Sequence, residues 1–170
     1  GHDRVIVAYM GRLIPEKGVM ELIEAAKRLQ NREREVHVIV AGEGPLEEKI
    51  RASLPSNVTL IGKLDVSDVA ALLLESDILC LASRSEGFGN AMLEAAICGN
   101  AIIATNVGIA EDLIEGGASG ILLSSANSEA ITAAITDYLD DRKKLAIAQE
   151  HARQSAPQLY SWEGTVAALE

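Results

Sequence analysis

The residues best suited to chemistry lie in two short stretches. In SEGFGNAMLEAA (85–96), Glu86 and Glu94 stand eight positions apart, with Gly87, Phe88, Gly89 and Asn90 between them. In MGRLIPEKG (10–18), Gly11 is followed by two cations, Arg12 and Lys17. Glycines at 87 and 89 let backbone N–H groups come close to a ligand, and Asn90 is a good N-cap. GFGN therefore reads as the opening of a helix whose unpaired amides and dipole attract phosphate. A glycine in such a loop can equally be turn chemistry alone, and Arg12 and Lys17 can be solvated surface charges. Brought together, the two cations and the helix start would neutralise a diphosphate.

The carboxylates need a different partner. With Asn90 as N-cap, Glu94 lies one turn into a helix otherwise built of Ala91, Met92, Leu93, Ala95, Ala96 and Ile97. Helical side chains lean toward the N-terminus, so its carboxylate points at the ligand mouth. On so apolar a helix it calls for hydrogen-bond donors, and sugar hydroxyls supply them. Favourable interaction with the helix dipole is the alternative. Glu86, ahead of the glycine turn, would repel phosphate and can accept from hydroxyls beyond it. A phosphate cradle flanked by two hydroxyl-binding carboxylates describes a nucleotide-sugar, ribose at one end and hexose at the other.

The elements that must position these loops are legible as alternating runs. Apolar runs at 4–9, 36–41, 58–61, 78–81, 101–104 and 120–123 are mostly continuous, as in strands covered on both faces. Between them lie helical patterns. Val19, Leu22, Ile23, Ala26 and Leu29 form one apolar stripe, with Glu21, Glu24, Lys27 and Arg28 facing water. Further helices are expected at 46–53, 67–75, 90–97, 111–114, 128–139 and 142–151. This βαβ alternation predicts an α/β fold: a Rossmann-like doubly wound parallel sheet, six strands in order 3-2-1-4-5-6, with helices on both faces. Ligands in such sheets bind at the carboxyl ends where the order reverses, between strands 1 and 4. The two stretches singled out above follow those two strands.

The 170 residues suit one domain, and aromatics at 3% leave an aliphatic core. A net charge of −10 argues against broad binding to nucleic acid or anionic membrane. No run approaches the length of a membrane span and no signal-peptide pattern opens the chain. Cys80 and Cys98 have no metal spacing and fall in apolar runs, so they read as buried free thiols of a cytoplasmic protein. Of the histidines His2, His37 and His151, none adjoins the two loops. Gly1-His2 reads as a cloning scar, with the native protein beginning upstream.

GRLIPEKG followed by SRSEGFGNAMLEAAICGNAIIATNVG resembles the carboxy-terminal, nucleotide-sugar-binding domain of group 1 (family four) retaining glycosyltransferases, which have the GT-B architecture of two Rossmann-like domains. The Glu-x7-Glu motif is met by Glu86 and Glu94, and the resemblance runs from the first strand to YSWEGTV. It implies that Arg12 and Lys17 bind the donor diphosphate and stabilise the departing charge, while Glu86 contacts donor-sugar hydroxyls. It further implies that Gly11, Gly87, Phe88, Gly89 and Asn90 shape the phosphate and sugar site, that Glu94 takes the ribose, and that Leu64 packs on the base. Ala82, Ala101 and Ala110 depart from prolines common in the family.

The resemblance implies transfer with retention from a nucleoside-diphosphate sugar, UDP-sugar foremost, without metal or other cofactor. The acceptor, a sugar, lipid or polysaccharide, would bind a missing amino-terminal domain, which could also attach the enzyme to a membrane. Residues 158–170 would be a truncated helix, with Trp162, Val166 and Leu169 on one side. The alternatives are another GT-B enzyme, such as a nucleotide-sugar epimerase or a glycogen-synthase relative, or a nucleotide-binding regulatory module without chemistry.

Overall fold

The computed structural model describes residues 4–32, 35–114 and 118–159. Among them the chain forms one six-stranded, all-parallel sheet flanked by helices. The strands are β1 (Val5–Met10), β2 (Val36–Ala41), β3 (Val58–Gly62), β4 (Ile78–Leu81), β5 (Ala101–Thr105) and β6 (Gly120–Leu123). Their order is β3-β2-β1-β4-β5-β6, as the alternation of apolar runs predicts. β1 pairs with β2 from Val5↔Val36 to Met10↔Ala41, and with β4 at Val7↔Ile78 and Ala8↔Leu79. The continuous apolar runs have the expected cause: every residue of β4 and β5 is buried.

The helices are α1 (Val19–Arg28), α2 (Glu47–Ala52), α3 (Val66–Glu75), α4 (Asn90–Ile97), α5 (Ala110–Ile114), α6 (Ser128–Asp140) and α7 (Arg142–Leu159). A 3-10 turn, Pro15–Lys17, precedes α1. α1 packs on α6, while α4 packs on α7 and α5. Asp65 and Asn127 cap α3 and α6, each accepting the backbone N–H three residues on.

Three expectations are corrected here. α7 does not stop at His151 but continues to Leu159, because Ala148, Ala152 and Ala156 bury one face at four-residue spacing. Residues 158 and 159 belong to α7; the rest of the helix expected over 158–170, with Trp162, Val166 and Leu169, lies outside the described residues, as do Gly1 and His2. Glu21 does not face water: its side chain is 21% exposed and pairs with Arg84, contributed from beyond β4. Of the thiols, Cys80 is fully buried and its pKa is pushed up to about 12 by desolvation. Cys98 is only partly buried; desolvation and the Glu94 charge raise its pKa too.

Candidate functional site

The exits of β1 and β4 meet at the carboxyl edge of the sheet. After β1 the chain passes through Gly11 and Arg12 into the Pro15–Lys17 turn; after β4 it runs through Ala82 to Gly89. The two loops are pressed together at Gly18, which has φ +70, and a Cβ there would lie 2.2 Å from the Ala82 carbonyl oxygen. Only glycine fits that approach. The Arg84 N–H then donates to the Glu16 carbonyl at 2.8 Å.

This contact places Lys17 opposite Glu86, with Nζ 2.8 Å from Oε1. The Lys17 ammonium also reaches the Ser85 carbonyl at 3.4 Å. Buried Ser83 donates its hydroxyl to Glu86 Oε1 at 2.8 Å, and Thr105 from the end of β5 donates its hydroxyl to the Ser83 carbonyl. Tyr9 is fully buried beneath, and its hydroxyl donates to the Arg12 carbonyl at 2.8 Å. Burial, with the Glu86 charge adding to it, holds the Tyr9 phenol well above its ordinary pKa. Arg12 itself is exposed.

The start of α4 differs from the expected cap. Asn90 is the first helical residue, and Gly89, left-handed at φ 96, is the N-cap. The Gly89 carbonyl accepts from Met92 at 2.9 Å and Leu93 at 3.3 Å, and no side chain caps the helix. Gly89 takes the left-handed backbone that glycine adopts readily, and the end of the Met92 side chain lies 2.4 Å from where a Gly89 Cβ would be. The helix start still offers unpaired amides, as any helix does in its first turn. Behind it, Gly108 lies against the Phe88 carbonyl, which accepts from the Ile109 N–H at 2.9 Å. Gly87 is exposed and Phe88 is 51% exposed, so the turn presents an aromatic face at the mouth.

Glu94 is exposed, so desolvation does not oblige it to find donors on its helix. It lines a cavity of about 500 Å³ between α3 and α4, together with Leu64, Val69 and Cys98. Leu64 and Val69 also border a second cleft of about 440 Å³, which Met10, Gly11, Arg12, Gly42, Glu43 and Lys63 complete. Leu64 thus joins the Glu94 side to the Arg12 side. The structure groups Gly11, Arg12 and Leu64 in one cleft and Lys17 with Glu86 beside it.

The loop after β2, Gly42-Glu43-Gly44-Pro45, was not among the expected site residues. A Cβ on Gly42 would lie 1.8 Å from the Gly11 carbonyl oxygen, and one on Gly44 2.6 Å from that of Leu13. Leu13 donates to the Glu43 carbonyl at 2.9 Å and accepts from the Leu46 N–H at 3.1 Å. This loop therefore supports the Gly11–Leu13 wall, and Glu43 with Lys63 (3.5 Å) stands at the cleft's rim. The visible signal was the G-x-G-P spacing directly after a strand. Among the described residues no three His, Cys, Asp or Glu side chains cluster as metal ligands, and no helix is long and apolar enough to cross a membrane.

Comparison with known proteins speaks to the family and the fold. The family described as "Glycosyl transferases group 1" matches residues 1–155. The alpha-D-kanosaminyltransferase of Streptomyces kanamyceticus is 32% identical over 160 residues, 91% of this chain and 41% of that protein. Among solved structures, HepE of Anabaena in complex with UDP and glucose superposes with a TM-score of 0.82 at 25% identity, covering 98% of this chain and 48% of that one. The C-terminal domain of LpcC, a group 1 family protein from Francisella tularensis, gives a TM-score of 0.82 at 27% identity, covering 93% and 87%. The chain spans less than half the length of the curated relatives it matches.

Proposed function

The chain belongs to the group 1 glycosyltransferases, corresponding to the carboxy-terminal half of their GT-B architecture, and from that premise we propose that it is the donor-binding half of a retaining enzyme that uses a nucleoside-diphosphate sugar. One observation carries the reading: Lys17 and Glu86 oppose each other at the switch point, beside Arg12 and the start of α4. HepE, of like fold, holds UDP and glucose, which favours UDP-sugar as the donor.

In this account the diphosphate lies between Arg12, Lys17 and the first amides of α4. The sugar extends toward Glu86, Phe88 and the Gly87–Gly89 turn; the ribose reaches Glu94, and the base packs on Leu64. The C1–oxygen bond to the diphosphate breaks as an acceptor hydroxyl attacks the same face. The acceptor's proton passes to the leaving phosphate oxygen. Arg12 and Lys17 stabilise the negative charge that grows there, the contribution asked of pre-placed cations in such a step. They do so without a divalent metal. Glu86 orients sugar hydroxyls and is itself held by Ser83 and Lys17.

The acceptor belongs to a second, amino-terminal domain facing this cleft, which would also govern any attachment to a membrane. The free thiols Cys80 and Cys98 suit a cytoplasmic setting. With a single wall of the cleft, this chain is expected to bind donor without transferring sugar. Incubating it with nucleotide-sugars and a broad acceptor panel, and following released nucleotide, tests the division of labour. Acceptor-dependent turnover by these 170 residues alone would refute it.

A further inference from the structure

Arg84 lines neither cavity described above, yet it makes more links across the two loops than any residue that does. Its N–H donates to the Glu16 carbonyl at 2.8 Å, Nη1 to the Pro15 carbonyl at 2.7 Å, and Nη2 to Glu21 Oε1 at 2.7 Å. One residue thus holds the chain on both sides of Lys17, from a loop that carries Glu86 two positions later. Glu21 depends on it. The other Glu21 oxygen, Oε2, is buried and has no hydrogen-bond partner among the described residues.

The Lys17–Glu86 pair cannot set the spacing of these walls by itself. An entering diphosphate competes for the Lys17 ammonium, and the pair must then open or be shared. The Arg84 contacts involve no group that the ligand would claim, so they persist when it does. Glu21 and Glu86 both act on the buried Tyr9 phenol, so both fields reach the base of the site. An anionic ligand would feel two carboxylates, and the Arg84 guanidinium offsets the one that has no part in binding.

Resting on the donor reading above, we infer that Arg84 is a positioning residue for the donor diphosphate. It fixes Lys17 opposite Glu86 through Pro15, Glu16 and Glu21, and neutralises Glu21.

The test titrates UDP, GDP and ADP into the native chain and into Arg84→Met and Arg84→Lys, with thermal unfolding of each. Arg84→Met should bind roughly five- to tenfold more weakly, the cost of ordering one or two long side chains on binding. Its midpoint should fall modestly, since the largely sheltered Glu21 loses its partner, while the chain stays folded at the titration temperature. Arg84→Lys, keeping the charge and one contact, should recover part of the loss. Glu21→Gln in the Arg84→Met background should recover part of it as well, by removing the unpaired charge. If Arg84→Met binds as tightly as the native chain, the inference is overturned while the donor reading stands. If affinity falls only in step with a collapsed midpoint, and Arg84→Lys recovers nothing, Arg84 is merely structural and the inference is again overturned. If the native chain binds none of the three nucleotides, the donor reading fails and this inference falls with it.

Discussion

Lys17 and Glu86 are brought within 2.8 Å from loops on opposite sides of the sheet's reversal, with side chains only 20% and 16% exposed. Charges this sheltered are weakly screened by salt, so an anion brought against Lys17 must compete with Glu86 for it. The arrangement gives the cation an anionic partner that a diphosphate can replace.

A division of labour between the two glutamates follows. Glu86→Gln removes a negative charge beside the proposed diphosphate site and releases Lys17, so affinity for a bare nucleoside diphosphate should hold or rise. Transfer by the full-length enzyme should drop sharply. Glu94→Ala should instead weaken nucleotide binding, by about tenfold or more for a lost hydrogen bond to an ionised group. Calorimetry and initial rates on both variants decide it. Lost nucleotide affinity with intact turnover in Glu86→Gln would reverse the assignment.

The close approach of the two loops is testable through glycine. Gly18→Ala must strain a backbone at φ +70 and drive a methyl into the Ala82 carbonyl. Gly62 has a similar φ of +76 but open space around the missing Cβ. Gly62→Ala should therefore cost only the left-handed conformation, about 1–2 kcal/mol, and Gly18→Ala clearly more. Urea unfolding compares them, and equal costs would mean that the loops can part without penalty.

The thiols should differ in reactivity. Cys80 is buried with its pKa pushed up to about 12, and should resist iodoacetamide until the chain unfolds. Cys98 is partly exposed, but desolvation and the Glu94 charge favour its neutral form. Replacing Glu94 with Gln lifts the second effect, lowers the Cys98 pKa and raises the thiolate fraction at pH 8. Alkylation of Cys98 should then quicken. Peptide mapping that finds Cys80 modified first, or Cys98 indifferent to Glu94→Gln, would contradict the burial described here.

The sheet was legible because its signal is local. Strands buried on both faces are continuously apolar, and ILCL and AIIA, short runs bounded by turn residues, read that way. The order of strands then follows from connection rules, and it places the two loops correctly. What the sequence hid is contact between distant segments. A helical wheel sends Glu21 to water, because nothing near it reveals that Arg84 arrives from 63 positions away. Asn90 is a favoured cap by type, yet the left-handed Gly89 takes the cap and Asn90 becomes the first helical residue. The Gly42–Gly44 loop carried a visible spacing, but its purpose, a backbone pressed on Gly11 and Leu13, exists only in three dimensions.

In the proposed function these two loops hold a nucleoside diphosphate, with protein cations in the role of a metal. Isothermal calorimetry with UDP, GDP and ADP, in buffer containing chelator, measures it on this chain. We expect at least one of them, UDP foremost, to bind at about millimolar affinity or better, and Lys17→Ala to weaken that binding by about tenfold or more. No heat from any of the three at millimolar ligand, or binding that appears only when a divalent cation is restored, would contradict the account.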